Sequence, residues 1–303
     1  MKRIEKIILA LAVAVGATSC TDWLDTKPYS SLETSVAISN LKDAQVALYG
    51  VYDAMQTSDY YGRNFVVIPD AASDNIILKP ANSGRFLAEL NWTVLPTTGE
   101  PSGVWVAAYQ TIDRANNIIA NIDGVPGDEA TRNQIKGEAI MLRALAHFDL
   151  VRMFAQPYNY TADHSHPGVP YMLVSEISSP TRNTVGDDYD KIVADLENAA
   201  ALMTIQPSTP TTVSSWAAKA LLAKVYLYME DWTNAKDMAE DIIAHGPYVL
   251  ATNANYLSMF TTEFSSESIF ELQFTSTDNN ATNQLGYIYQ SQGYGDLWPS
   301  QDL

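Results

Sequence analysis

Residues 137–154 read GEAIMLRALAHFDLVRMF. At 3.6 residues per turn, Ala139, Ala146, Leu150 and Met153 fall on one side of a helix, and Met141, Ala144, Phe148 and Val151 on the other. Two apolar faces require two partners. Narrow charged ridges separate them, one with Glu138, Asp149 and Arg152, the other with Lys136, Arg143 and His147. The spacing therefore predicts a helix over 128–154 that lies inside a layer of helices, with its charged strips paired or at groove edges. Alanine at repeated positions permits close approach of the neighbours. A comparable helix is predicted over 214–230, with Ala220, Ala223 and Leu227 on one face and Leu222, Val225 and Met229 on the other.

Outward from this stretch, helical periodicity marks 40–55, with Asn40 as N-cap, and 104–121, with an inward stripe of Trp105, Ala108, Ile112, Ala115 and Ile119. It marks 187–202, begun by Asp187 or Asp188, with Tyr189, Ile192, Val193, Leu196 and Ala199 inward. A short helix over 234–244 ends at His245 and Gly246. These six helices form three pairs packed in series, and the hairpin over 213–244 is close in length to the roughly 34-residue tetratricopeptide unit. Between the first two helices, residues 58–103 carry Gly62, Pro69, Pro80, Gly84, Pro96, Gly99 and Pro101, which break short apolar pieces such as FVVIP and NIILK into a long irregular insertion. A long loop of this kind is often functional. A second irregular segment covers 158–179. Beyond 248, SIFELQF (268–274) reads as a short strand or extended segment, and the remainder of the chain is rich in Asn, Thr, Gln, Gly and Tyr.

At 303 residues and 47% hydrophobic, the chain buries a substantial core. Its formal net charge of −17, from 35 acidic and 18 basic residues, excludes nucleic-acid backbones and anionic membrane surfaces as natural partners. A single cysteine rules out an internal disulfide or a multi-cysteine metal site. That cysteine is Cys20. It follows a basic start (Lys2, Arg3, Lys6), an apolar run over 7–17 and the small residues Ala17, Thr18 and Ser19. Such a run is short for a membrane span and usual for a secretion signal. Small residues before a cysteine resemble a bacterial lipobox, so residues 1–19 read as a lipoprotein signal peptide and Cys20 as the lipidated first residue of the mature chain. More than one acyl chain is needed for stable anchoring, and a lipidated cysteine provides it.

Catalytic signatures are weak. The pair His164 and His166 has only Asp163 as a local third ligand, where zinc takes three or four. Asp187 and Asp188 suit a helix start better than an acid–base pair. No nucleophile elbow or P-loop occurs. Carboxylates are plentiful enough for a glycosidase pair, and nothing singles one out. The sequence assigns no catalytic residue, no metal and no cofactor.

The lipobox followed by DWLDTKP (22–28), NLKDAQVALYGVYDAM (40–55), WVAAYQTIDRANNIIANI (105–122), GEAIMLRALAHFDLVRMFAQPY (137–158), WAAKALLAKVYLYMEDWTNAKDMAEDII (216–243) and GYGDLWPSQDL (293–303) resembles, in order and over nearly the whole chain, the SusD/RagB family of outer-membrane lipoproteins of Bacteroidetes. The resemblance implies a mainly α protein in which tetratricopeptide-like helical hairpins pack against an irregular, loop-rich region. It implies a non-catalytic, lipid-anchored protein on the outer face of the outer membrane. There it would capture a glycan, or in some members a peptide, and form a lid on a SusC-like TonB-dependent transporter; a purely structural lid is a further alternative. Asp22 and Asp25 resemble the family's export signal after the anchor. Family members continue past the tract that 293–303 resembles, so residues 20–303 are expected to be a SusD-like domain truncated at its C-terminus.

Sugars are bound by stacking their C–H faces on aromatic rings while amide, carboxylate and guanidinium groups satisfy the hydroxyls, because a buried unpaired hydroxyl costs more than a good contact gains. With 17 Tyr and 6 Trp available, the loop aromatics are the candidates. The sequence points to Trp92 with Asn82 and Arg85, and to Tyr287 with Trp298. Trp105, Trp216 and Trp232 are assigned to packing from their helix or turn positions.

Overall fold

The computed structural model describes residues 38–73 and 75–300. The expected signal peptide, Cys20, Asp22 and Asp25 lie outside the described residues. Helices dominate: α1 (Leu41–Gln56), α2 (Asn64–Ala71), the single turn α3 (Leu87–Leu90), α4 (Gly99–Asn121), α5 (Glu129–Phe154), α6 (Val185–Leu202), α7 (Ser215–Tyr228), α8 (Trp232–His245) and the short α9 (Leu285–Tyr289). Two three-residue strands, β1 (Ile76–Leu78) and β2 (Leu297–Pro299), pair antiparallel with Ile77 opposite Trp298.

Helix starts follow local chemistry. The side chains of Asn40, Asp128, Thr184, Ser214 and Asp231 each accept from the backbone N–H three residues on, and such a cap contributes about 1 kcal/mol. The cap of α6 is thus Thr184, and Asp187 and Asp188 occupy its first turn.

The helices pack in sequence, α1 on α4, α4 on α5, α5 on α6, α6 on α7 and α7 on α8, with α1 also touching α5. Helix α5 lies inside the series, packed against α1, α4 and α6. Sixteen of its residues are buried, including Glu138, Arg143, His147 and Asp149. Most of the charged ridge groups are paired inside the protein with other elements; Arg152 pairs with Asp149 of the same helix, and Lys136 with exposed Asp123. Glu138 accepts from the Tyr52 hydroxyl of α1 at 2.8 Å. Arg143 grips Asp195 of α6 with two bonds of 2.8 and 2.7 Å and donates to Asn116 of α4 at 2.9 Å. His147 donates through Nδ1 to the Arg143 carbonyl (2.9 Å) and accepts at Nε2 from the Met172 N–H (3.0 Å), which fixes one neutral tautomer. Burial pushes its pKa down to about 3, and its ring stacks on Tyr171 at 3.7 Å. Buried ions survive only when paired and hydrogen-bonded in this way.

Several sequence expectations need correction. Residues 64–71 form a helix in spite of Pro69, because α2 is too short for the missing N–H and ring clash to end more than its last turn. Helix α4 starts at Gly99, five residues before the periodic pattern, since Pro101 lies in its first turn, where its N–H would be unpaired in any case. The inward stripe of α4 runs through Val104, Ala107, Ala108, Thr111, Ile112 and Ala115, and Trp105 and Ile119 are only half-buried. On α7, Leu227 is 51% exposed, and on α8 Trp232 is 62% exposed. Helix α8 packs against α7, and its outer side has no helix beyond it among the described residues. Of the two readings of SIFELQF, a short strand or an extended segment, the strand does not form. The segment is tied to the linker before α7 by the Glu271 N–H to the Pro210 carbonyl (2.7 Å), and the sheet forms between β1 and β2.

After α8 the chain crosses back over the start of the fold. Asn280 donates to the Gln56 carbonyl (2.6 Å), the Leu285 N–H to the Gly62 carbonyl (2.9 Å), and the Tyr289 hydroxyl to Asp70 (2.6 Å). These ties bring 280–299 against the 60–90 segment.

Candidate functional site

The irregular insertion over 58–103 and the C-terminal stretch beyond 280 meet at β1 and β2. Beyond the ladder, the Lys79 N–H donates to the Asp296 carbonyl at 2.8 Å. The carboxylate of buried Asp296 accepts from the Ser83 N–H (2.9 Å) and, through its other oxygen, from the Ser83 hydroxyl. Asn82 closes the turn between them. Its amide donates to the Lys79 carbonyl (2.9 Å) and its oxygen accepts from the Gly84 N–H (2.8 Å), an Asx-type arrangement. Gly84, at φ +82°, takes the left-handed conformation this turn demands.

The turn delivers Arg85 onto the face of Tyr294, 4.1 Å from the ring centroid, a cation–π contact worth about 0.5–2 kcal/mol. Tyr294 in turn meets the Tyr287 ring edge-on at 6.2 Å. Their backbones are joined by the Tyr294 N–H to the Tyr287 carbonyl (2.7 Å), and Gly293 allows the approach, because a Cβ there would lie 2.6 Å from Tyr287 Cα. On the exposed face of the ladder, Trp298 is 43% accessible and has Lys79 Nζ 5.4 Å from its ring centroid. Arg63 stacks over buried Phe86 at 6.0 Å. Burial, followed by repulsion from Arg85, lowers its guanidinium pKa. Three cations thus cluster here in a strongly acidic chain.

Of the residues singled out in sequence, Asn82, Arg85, Tyr287 and Trp298 are therefore brought to one surface by the β1–β2 pairing. Asn82 differs from its expected role in that both ends of its amide already serve the turn. Trp92 is 79% exposed and stands beyond α3 at φ +55°, and none of the contacts joining the other four involves it. A non-glycine residue at positive φ is strained, and Phe86, the buried plug at the start of α3, shares this conformation at φ 58°. Sequence reasoning counted Tyr294 among the loop aromatics without choosing it and missed Lys79 and Arg63; the run GYG around Tyr294 was the available signal for a close backbone approach.

The model of the family described as "Starch-binding associating with outer membrane" matches residues 22–227. This chain belongs to the SusD-like family. It is 27% identical over 296 residues to SusD-like protein P2 of Formosa agariphila, a match covering 95% of this chain and 54% of that protein. Among solved structures it resembles a putative sugar binding protein from Bacteroides vulgatus (TM-score 0.80, 30% identity, 88% of this chain and 62% of that one). It also resembles a laminarin binding SusD-like protein (TM-score 0.65, 28% identity, 77% and 51%). The chain spans about half the length of the curated relatives it matches.

The SusD-like chain has a further concave surface that the sequence concealed. Trp105 is half-buried and forms the wall between two adjoining hollows of about 300 and 440 Å³. Tyr109 lies 5.0 Å and Phe154 5.1 Å from it, ring to ring. Aromatics four apart on a helix read as core; here the loops carrying Leu95 and Met172 line an open groove around them instead.

Proposed function

We propose that this SusD-like chain is a non-catalytic, lipid-anchored protein on the outer face of the outer membrane. It captures a glycan and delivers it to a SusC-like TonB-dependent transporter. The observation that carries the reading is the loop cluster at the β1–β2 ladder, where Arg85 covers Tyr294 beside Tyr287 and Lys79 stands over Trp298. The exposed ring of Trp298 supplies a stacking face, half-buried Tyr287 and Tyr294 present their edges, and the neighbouring cations supply hydrogen-bond donors, the combination that neutral saccharides require. The starch-binding description of the family and the laminarin binding relative support the substrate class.

In this proposal residues 1–19 are the signal peptide, Cys20 carries the lipid and residues 20–303 belong to a SusD-like domain. The serial hairpins are of tetratricopeptide type and seat on the transporter. Trp92 and Asn82 complete the ligand surface, Trp92 as an exposed platform on the loop that follows α3 and Asn82 by holding the turn that presents Arg85. A peptide ligand is the second reading, favoured by the apolar groove at Trp105.

Titration of a panel of polysaccharides and peptides against wild type, Arg85→Ala, Trp298→Ala and Trp92→Ala tests this, with product analysis after long incubation. A glycan should bind and be released uncleaved, with affinity falling about tenfold in each variant, the effect of roughly 1.4 kcal/mol per lost contact. Peptide-only binding would replace the glycan reading, and cleaved product would overturn the non-catalytic one. Glycan binding unchanged in all three variants would remove this surface.

A further inference from the structure

A separate hollow of about 330 Å³ opens between the outer face of α1, the linker before α7 and the segment 272–278, which ends in the turn at Thr275–Asp278. It shares no residue with the Arg85–Trp298 surface. Its floor is fixed: the Tyr52 ring is buried, and its hydroxyl donates to Glu138 and accepts from the Val213 N–H at 2.9 Å. One wall is fixed as well. The Gln56 amide donates to the Gln273 carbonyl, and Asn280 donates back to the Gln56 carbonyl at 2.6 Å. The floor and this wall are therefore held before a ligand enters, and only the exposed side chains of the rim must order on binding.

The chemistry of the lining selects a ligand class. Tyr49 borders the hollow and is 56% exposed, so its ring offers a flat apolar surface to solvent. Around it stand hydroxyls (Thr211, Thr212) and carboxylates (Asp53, Asp278). No lysine, arginine or histidine is among the lining residues, which disfavours phosphates, carboxylates and sulfated ligands. Asp53 is already paired with Arg114 at 3.1 Å, so the hollow does not present two unpaired carboxylates to a cation. What remains is a neutral polyol whose hydroxyls donate to carboxylates and exchange bonds with threonines while a ring face stacks on Tyr49. The volume is at the lower end of the roughly 300–1,000 Å³ of small-molecule sites and suits a short saccharide.

We infer that this hollow is a second saccharide-binding site, holding a neutral glycan unit between Tyr49 and Asp278. The inference shares with the proposed function only the glycan class and none of its residues. Two weak sites on one protein retain a polymer far better than either alone, through the effective concentration that the bound chain imposes on its own next segment.

The test uses the full chain and defined neutral oligosaccharides: laminarihexaose, maltohexaose, xylohexaose and mannohexaose, up to millimolar concentration. Calorimetric titrations compare wild type, Tyr49→Ala, Asp278→Asn and the double variant Arg85→Ala/Trp298→Ala. Tyr49 and Asp278 are both exposed, so their variants should fold, and unchanged thermal melting verifies this. Oligosaccharide binding that persists in the double variant and weakens at least tenfold on adding Tyr49→Ala or Asp278→Asn supports the second site. If Arg85→Ala/Trp298→Ala has no effect and Tyr49→Ala abolishes binding, the first surface falls and this one stands. If Tyr49→Ala and Asp278→Asn titrate like wild type, or if none of the four sugars binds wild type, the second site is overturned.

Discussion

The Tyr60 hydroxyl donates to the Asp149 carboxylate at 2.6 Å, joining positions 89 residues apart in the chain. Tyr61 donates to the same oxygen at 2.7 Å, and Arg152 to the other at 2.5 Å. Through this carboxylate, the loop after α1 is locked to the C-terminal part of α5. Asp149→Ala leaves a partly buried guanidinium and two hydroxyls without their acceptor, at a cost of about 3 kcal/mol. Tyr60→Phe, which removes one donor of three, should cost about 1–2 kcal/mol. Urea denaturation checks both; equal effects would show that Asp149 does not act as the hub.

Asp188 predicts a pH dependence. Its side chain is buried in the first turn of α6, one oxygen accepts from the Val169 N–H at 2.6 Å, and the other has no partner among the described residues. Burial first, with Asp187 adding repulsion, raises its pKa to about 7 against the opposing pull of the Val169 N–H, Lys191 and Arg182. The native state therefore holds this proton over a range where the unfolded chain, titrating near 3.9, has released it. Stability from this group is complete below about pH 4 and is lost as pH rises through about 7, with a slope of at most about 1.4 kcal/mol per pH unit. Asp188→Asn keeps an acceptor for Val169 and should flatten the stability profile between pH 4 and 7. A profile identical to wild type would show that Asp188 does not titrate there.

Gly137 sets the spacing of α5 and α6. A Cβ at this position would lie 2.6 Å from Met203 Cγ and 3.2 Å from the Ala199 carbonyl oxygen. Helix propensity favours alanine over glycine by about 1 kcal/mol, and overpacking typically costs about 1–3 kcal/mol. Because the Ala199 contact is backbone and does not swing aside, Gly137→Ala should be net destabilising by about 1 kcal/mol. A raised melting temperature would show that the two helices separate at little cost.

The lipid anchor is tested by radiolabelled palmitate. Wild type should incorporate label and fractionate with the outer membrane, and Cys20→Ala should do neither. Equal labelling of both proteins would place the lipid elsewhere.

The pairing surface with the proposed transporter has a direct check. Under mild detergent the protein should co-purify from native membranes with a large β-barrel protein; consistent elution alone would count against a lid.

The positions of the long helices were legible in the sequence, except for the first five residues of α4. Their signals are local: an apolar repeat of 3.6 and a capping side chain three residues before the amide it satisfies, as at Asn40, Asp128 and Ser214. The central place of α5 was legible for the same reason, since a helix apolar on two sides must have neighbours on both. Which groups would pair with its charged ridges was decided only in three dimensions, because Tyr52, Asp195 and Tyr60 reach it from 86, 52 and 89 residues away. So was the exposure of Leu227 and Trp232, which depends on where the next helix lies and not on the helix itself. The binding surface was half legible. Its residue types could be named from the loops, but Arg85 meets Tyr294 only because β1 finds β2 across more than two hundred residues. A pairing of that kind is fixed by long-range loop closure against the packed helices, and no local pattern encodes it.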